Sequence, residues 1–135
     1  MKWATRRHCH VDRTACAWLI RRFVDQDAEF LFVDELIDVP PDATAFDMRG
    51  AHFSHHNGDC SFETFLSEYQ LDDLGLDRLA QIVHEADVGD GRFDAPEAPG
   101  LDLAIRALAV GRGDDALLRE TDRFYDGVYA TLTAG

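Results

Sequence analysis

Apolar positions follow two different rhythms along this chain. Up to about residue 55 they form short runs broken by turn residues, and beyond residue 60 they recur every three to four positions. Trp3 to Thr5 reads as a short strand. From Arg13 to Val24, the residues Ala15, Cys16, Trp18-Leu19-Ile20 and Phe23 make a broad apolar face at helical spacing, and Asp12 stands where an N-cap belongs. Ala28-Glu29-Phe30-Leu31-Phe32-Val33 is rich in aromatic and branched residues and predicts a buried strand. Pro40-Pro41 breaks the chain before a second short strand, Ala43-Thr44-Ala45-Phe46-Asp47, which ends in an acid. Gly50 marks a turn, Ala51-His52-Phe53-Ser54 predicts a further strand delivering His55-His56 to a loop, and Asn57-Gly58 is a strong turn signal.

The second half predicts helices. Phe62, Phe65, Leu66 and Tyr69 share one face, with Ser61 as the expected N-cap, and Leu76, Leu79, Ala80, Ile82-Val83 and Ala86 share the next. Gly89 to Gly100, with Pro96 and Pro99, reads as a loop. Leu101 to Val110 and Ala116 to Leu132 complete the set. The expectation is a single α/β domain over residues 1–135. It has a small sheet built on an N-terminal strand-helix-strand unit and a helical C-terminal half. Predicted strand ends carry many of the histidines and acids, and open α/β sheets bind ligands at the carboxyl ends of their strands.

Composition narrows the class. A chain of 135 residues with 46% hydrophobic and 29% charged residues is long enough for one packed core. The strongest apolar run, near Ala15 to Ile20, is too short to span a bilayer, and Met1-Lys2-Trp3 leads into arginines rather than an apolar leader. A cytoplasmic location is expected. Three cysteines, Cys9, Cys16 and Cys60, do not suggest a disulfide framework. A net charge of -13 disfavours direct binding of nucleic acid or an anionic membrane. The N-terminal 22 residues run the other way, with Lys2, Arg6, Arg7, Arg13, Arg21 and Arg22 against Asp12 alone. Arg6, Arg7 and Arg13 could hold a small oxyanion, or could pair with acids elsewhere.

Four clusters carry candidate chemistry. In His8-Cys9-His10-Val11-Asp12 the first, third and fifth side chains share a face if the segment is extended. Imidazole and carboxylate on one face suit a transition metal; a helix cap flanked by surface histidines is the simpler reading. Asp47 ends a strand, where a carboxylate is either a ligand or a turn cap. His55-His56 offers one inward ring and one outward ring. Cys60 and Glu63 stand three apart at a helix start, which would lower a thiol pKa, or would simply complete a cap. His84 and Asp87 have the same spacing near a helix end, where a histidine is favoured by the dipole alone.

The stretches Val11-Asp12-Arg13-Thr14-Ala15-Cys16-Ala17-Trp18-Leu19-Ile20-Arg21-Arg22-Phe23, Phe46-Asp47, Phe53-Ser54-His55-His56, Asp59-Cys60-Ser61-Phe62-Glu63 and Ile82-Val83-His84-Glu85-Ala86-Asp87 resemble the chromate-resistance ChrB C-terminal domain family. The resemblance covers nearly the whole chain and implies a chromate-sensing regulator or an accessory resistance factor. A weaker, motif-level similarity links His8, His10, Asp12, Asp47, His55, His56 and Asp87 to DHH-type metal-dependent phosphoesterases, although Ser54 stands where that family has an acid. The expected metal pool is therefore His8, His10, Asp12, Asp47, His55 and Asp87, with His56, Cys60, Glu63 and His84 in reserve. Zinc, iron, manganese or nickel would suit these donors. Chromate or another oxyanion is the expected second ligand. Three roles remain open: a sensor or accessory domain, a metal-dependent enzyme (a phosphoesterase-like hydrolase or a chromate reductase), and a scaffold with structural histidines.

Overall fold

A computed structural model of the chain describes residues 1–134. Three parallel strands, β1 (Lys2–Arg6), β2 (Glu29–Val33) and β3 (Ala43–Ala45), form a sheet of order β2-β1-β3. Strand β1 is central and pairs Trp3 with Phe30 on one side and Thr44 on the other. Its residues Trp3, Ala4 and Thr5 are all fully buried, as a central parallel strand covered on both faces requires. The Thr5 hydroxyl donates to the Phe46 carbonyl at 2.7 Å, so burial leaves it satisfied.

Helix α1 (Val11–Leu19) is the crossover between β1 and β2 and widens into one π turn, Ile20–Val24, closed by Asp25 N–H on Ile20 O at 2.7 Å. Helices α2 (Ser61–Glu68), α3 (Leu74–Asp87), α4 (Ala98–Ala109) and α5 (Asp114–Ala134) make the C-terminal half. Helix α1 packs against α2, α3 and α5, so the helix that follows the central strand lies in the middle of the bundle. Its contact with α5 includes Tyr125, buried, whose hydroxyl meets Thr14 Oγ1 at 2.9 Å and the Val11 carbonyl at 3.1 Å. Trp18 donates from its indole to Asp126 at 2.9 Å across the same seam.

The expected α/β architecture is therefore present, and four local expectations are corrected. Ala51–Ser54 is not a strand: Phe46 and Phe53 make a single bridge. Ala51 N–H turns back to Met48 O, Ser54 N–H to His52 O, and the Ser54 hydroxyl to Ala51 O, so the segment coils on itself. Asp12 is not the N-cap of α1; that position is His10, and α1 starts at Val11. Cys60, not Ser61, caps α2. The loop from Gly89 ends early, because α4 begins at Ala98 and accepts Pro99 in its first turn, where a missing N–H has no helical partner to lose.

The sheet and the bundle meet in an aromatic cluster. The Phe65 ring stacks on Phe53 at 4.5 Å between centroids and also contacts Trp3, Phe46 and Tyr69. Phe65 is fully buried, so Phe65→Ala should lower the unfolding free energy by about 3–5 kcal/mol. Leu103 is 69% exposed on α4, and Leu103→Ala should stay within about 0.5 kcal/mol of wild type. Urea unfolding of both variants, read by far-ultraviolet circular dichroism, checks the pair.

Candidate metal centre

Asp12 lies in the first turn of α1 with its side chain only 2% exposed. A buried carboxylate needs donors, and the first turn of α2 supplies them. Ser61 N–H donates to Oδ2 at 2.9 Å and Phe62 N–H to Oδ1 at 3.0 Å. The Cys16 thiol adds a longer contact at 3.6 Å. Asp12 thus serves the amino end of a helix other than its own, and the pairing fixes α2 against α1.

The same carboxylate meets His55, whose Nε2 lies 3.2 Å from Asp12 Oδ2 and 3.1 Å from Asp87 Oδ2. Asp47 Oδ1 is 3.8 Å from that nitrogen. Asp47 lies just past β3 with φ at 49°, a left-handed conformation that aspartate tolerates better than most residues. Its Oδ1 accepts the Ser61 hydroxyl at 2.7 Å, and its Oδ2 pairs with Arg13 Nε at 3.0 Å. Four chain segments therefore converge: α1, the turn after β3, the His55 loop and the end of α3.

The electrostatics show crowded acids. Burial first, and then the neighbouring Asp12 charge, push the Asp47 carboxyl up to about 7, with Arg13 opposing. Hydrogen bonds to Asp12 and then Asp87 hold the His55 imidazolium, raising it to about 10. One donor atom each from Asp12, His55 and Asp87 lie within 4.8 Å of one another. Metal–ligand bonds of about 2.0–2.2 Å place tetrahedral donors about 3.3–3.6 Å apart, close to the spacing of this group. The residues fit a divalent cation, and Asp47 is near enough to become a fourth donor. With His55 half exposed, such an ion would face solvent on one side.

The expected pool divides. Asp12, Asp47, His55 and Asp87 come together, whereas His8 and His10 join no such group among the described residues. His8 and His10 are exposed and line a separate cleft of about 400 Å³ with Cys9 and Arg112, where His8 and Cys9 donate their N–H groups to the Asp114 carboxylate. The same-face argument assumed an extended segment, but His8 has φ at 63°. His56 turns its Nε2 to the His52 carbonyl at 2.6 Å. Cys60, Glu63 and His84 form a second group of their own. Of the two readings of Cys60 and Glu63, the cap is the one present, and burial, then the Asp12 charge, push the Cys60 thiol up rather than down. Burial pushes the Cys9 thiol up as well.

The arginines divide in the same way. Arg6 and Arg13 line a cleft of about 540 Å³ with Asp47, Arg49, His55 and His56. Arg7 lines the His8–His10 cleft instead and pairs with Asp34 at 3.0 Å. Arg13 is committed to Asp47 and to the carbonyls of Arg6 and Arg7, which makes it a brace for the β1–α1 turn. Sequence reasoning missed Arg49, Ser61 and Asp90. Arg49 sits two residues after Asp47 and beside a turn glycine, a weak signal; the sequence marks Ser61 only as a helix cap, and nothing local shows that it reaches Asp12 and Asp47. The largest cavity, about 700 Å³, is an apolar groove by Ile82, Leu101, Phe124 and Val128, away from these donors.

A parallel-sheet domain with an acid–histidine centre at its strand ends is the class this geometry defines. Residues 3–132 match the family model described as ChrB, C-terminal domain, and the chain belongs to that family. It is 47% identical to Protein ChrB of Cupriavidus metallidurans over 98% of this chain. The aligned part is 41% of that relative's length, so this chain spans well under half of it. No solved structure matches the chain. Among the described residues no helix is long and apolar enough to cross a membrane.

Both shifted groups give a pH dependence to chelator-stripped protein. The folded pKa of each is above its ordinary value, so each contribution is present at low pH and lost as pH rises. For Asp47 the loss falls between about pH 4 and 7, and for His55 between about 6.5 and 10. Thermal melts across pH 4–10 should show falling stability, with Asp47→Asn flattening the acidic limb and His55→Gln the alkaline limb. An unchanged profile in both variants would contradict the assignment.

Proposed function

We propose that this chain is a metal-binding cytoplasmic domain serving chromate resistance, in which a divalent transition metal and an oxyanion meet at one cleft. The domain acts as a sensor or accessory factor and passes the bound state to a partner. The observation that carries the reading is the convergence of Asp12, His55 and Asp87 donors, with Asp47 beside them. Family membership supports the link to chromate. The cleft supports the oxyanion: Arg6 and Arg49 line it next to Asp47 and His55, and neither pairs with a carboxylate among the described residues. In a chain of net charge -13, guanidinium groups left without acid partners at a cleft mouth are suited to a tetrahedral anion. When bound, the metal would supply a Lewis-acidic centre. This chain's residues would hold and orient it, and Arg13 would keep Asp47 in place.

Half exposure of His55 favours a second reading, a metal-dependent hydrolase of phosphate esters. An ion with one side open to solvent can carry a water and lower its pKa. Turnover of a generic phosphodiester by metal-loaded protein, abolished in Asp87→Asn, would replace the sensor reading with this one. The buried, upward-shifted thiols of Cys9 and Cys60 do not favour a chromate reductase.

Elemental analysis of purified protein tests the centre. His55→Ala and Asp87→Asn should each lower metal affinity roughly tenfold or more, with His10→Ala retaining wild-type metal content. Retention in all three variants would remove the proposed centre. Chromate titration tests the cleft. An Arg6→Ala/Arg49→Ala variant should bind at least about tenfold more weakly, and Arg7→Ala should match wild type. Equal binding by all three proteins would show that these arginines do not hold the anion.

A further inference from the structure

Cys60, Glu63 and His84 stand apart from the centre described above. Cys60 Sγ, a Glu63 carboxylate oxygen and a His84 ring nitrogen all lie within 4.8 Å of one another. The Cys60 and His84 side chains are fully buried and Glu63 is nearly so. His84 Nδ1 lies 2.6 Å from Glu63 Oε1, and its Nε2 lies 2.9 Å from Asp90 Oδ1. Burial would lower the imidazolium, but the hydrogen bonds to Glu63 and Asp90 outweigh it and raise it. A histidine that ligates a metal through one nitrogen characteristically gives its other N–H to a carboxylate, which sets the ring's direction and tautomer. Asp90 is placed to do this, leaving Nδ1 on the side of Glu63.

We propose that Cys60, Glu63 and His84 form a second metal site, distinct from the Asp12–His55–Asp87 centre, which takes a thiophilic divalent ion such as zinc or cobalt. The donor set is one sulfur, one oxygen and one nitrogen, a mixture that selects borderline-soft ions over magnesium or calcium. Binding displaces the thiol proton of Cys60 and whatever proton His84 Nδ1 carries, both released to solvent. The electron pairs of Sγ and Nδ1 become ligand pairs, and no oxidation is involved.

The entrance is the turn after α3. Asp90 lies between Gly89 and Gly91, whose φ values of 65° and 76° are open to glycine without steric cost. The Glu85 carboxylate accepts the N–H groups of Gly91 and Phe93 and pins this turn over the group. Arg92 closes the other side, 2.6 Å from Asp59 and 3.8 Å from Glu63. The two centres share one structural element: Cys60 caps α2, and the next residue, Ser61, gives its N–H to Asp12.

Cobalt(II) titration of the chelator-stripped chain, followed by absorption, tests the site. A thiolate-to-cobalt charge-transfer band in the near ultraviolet is expected in wild type and in Asp87→Asn, and its absence in Cys60→Ser. Asp90→Asn should weaken the cobalt binding that produces the band about 10- to 100-fold. Should Cys60→Ser fail to fold by circular dichroism, Glu63→Gln replaces it, with a weakened band expected. Failure to see the band in cobalt-saturated wild type overturns the proposal. So does a band unchanged in Cys60→Ser, or in Glu63→Gln where that variant replaces it. Because Asp87→Asn affects only the first centre, loss of that centre and loss of this site give different results.

Discussion

The bond from Asp12 to the first turn of α2 is the constraint on which the rest depends. A carboxylate this deeply buried is tolerable only because two backbone N–H groups, Ser61 and Phe62, point at it. Those two donors are among the four that any helix leaves unpaired at its start, so each partner satisfies what the other lacks. The helix dipole adds to the match, with a negative group at a positive end. The consequence is geometric. Helix α1 follows the central strand, α2 follows the His55 loop, and one carboxylate locks them at a fixed separation. His55 then has a definite anion to approach, and Asp87 completes the group from α3.

Around that lock the protein concentrates negative charge where a monovalent side chain does not balance it. Asp47 holds one oxygen on Arg13 and the other on Ser61, close to His55. Its pKa is raised by burial first and then by the Asp12 charge beside it. A divalent cation would relieve that crowding directly. Arg13 works at both levels, since it braces the carbonyls of Arg6 and Arg7 while orienting Asp47. Arg6 and Arg49 line the same cleft and pair with no carboxylate among the described residues.

Long-range closure comes from α5. Tyr125 and Asp126 reach back over 100 residues to Val11, Thr14 and Trp18. Helix α1 is thereby tied to α5, and the Trp3–Phe46–Phe65 cluster joins the sheet to α2, which also packs on α1. The amino end of α2 gains rigidity from both. It carries Asp12's donors on Ser61 and Phe62 and the Cys60–Glu63–His84 group one residue earlier. A short helix start thus organises two clusters of side chains of metal-binding chemistry.

Much of this was legible in the residues alone. Short apolar runs bounded by turn residues marked all three strands, and helical periodicity marked the helices, because a strand buried on both faces leaves a run and a half-buried helix leaves a period of 3.6. Asp12, Asp47, His55 and Asp87 stood out as acids and an imidazole at element ends, where chemistry is placed. Sequence could not show that His8 and His10 leave the group. One left-handed residue, His8, redirects the segment, and an extended-strand argument assumes that no such residue occurs. Nor could it show that Asp12 accepts the first N–H groups of α2 instead of capping α1, since that pairing joins positions about 50 residues apart and leaves no local spacing. Ala51–Ser54, between the turn signals at Gly50 and Asn57-Gly58, read as a strand, yet its hydrogen bonds close locally. The sequence by itself determined which residue types were available and which elements would carry them, since both follow from short-range sterics and burial. Only the tertiary structure decided which donors share a site and which arginines stay free, because convergence depends on packing between elements distant in the chain.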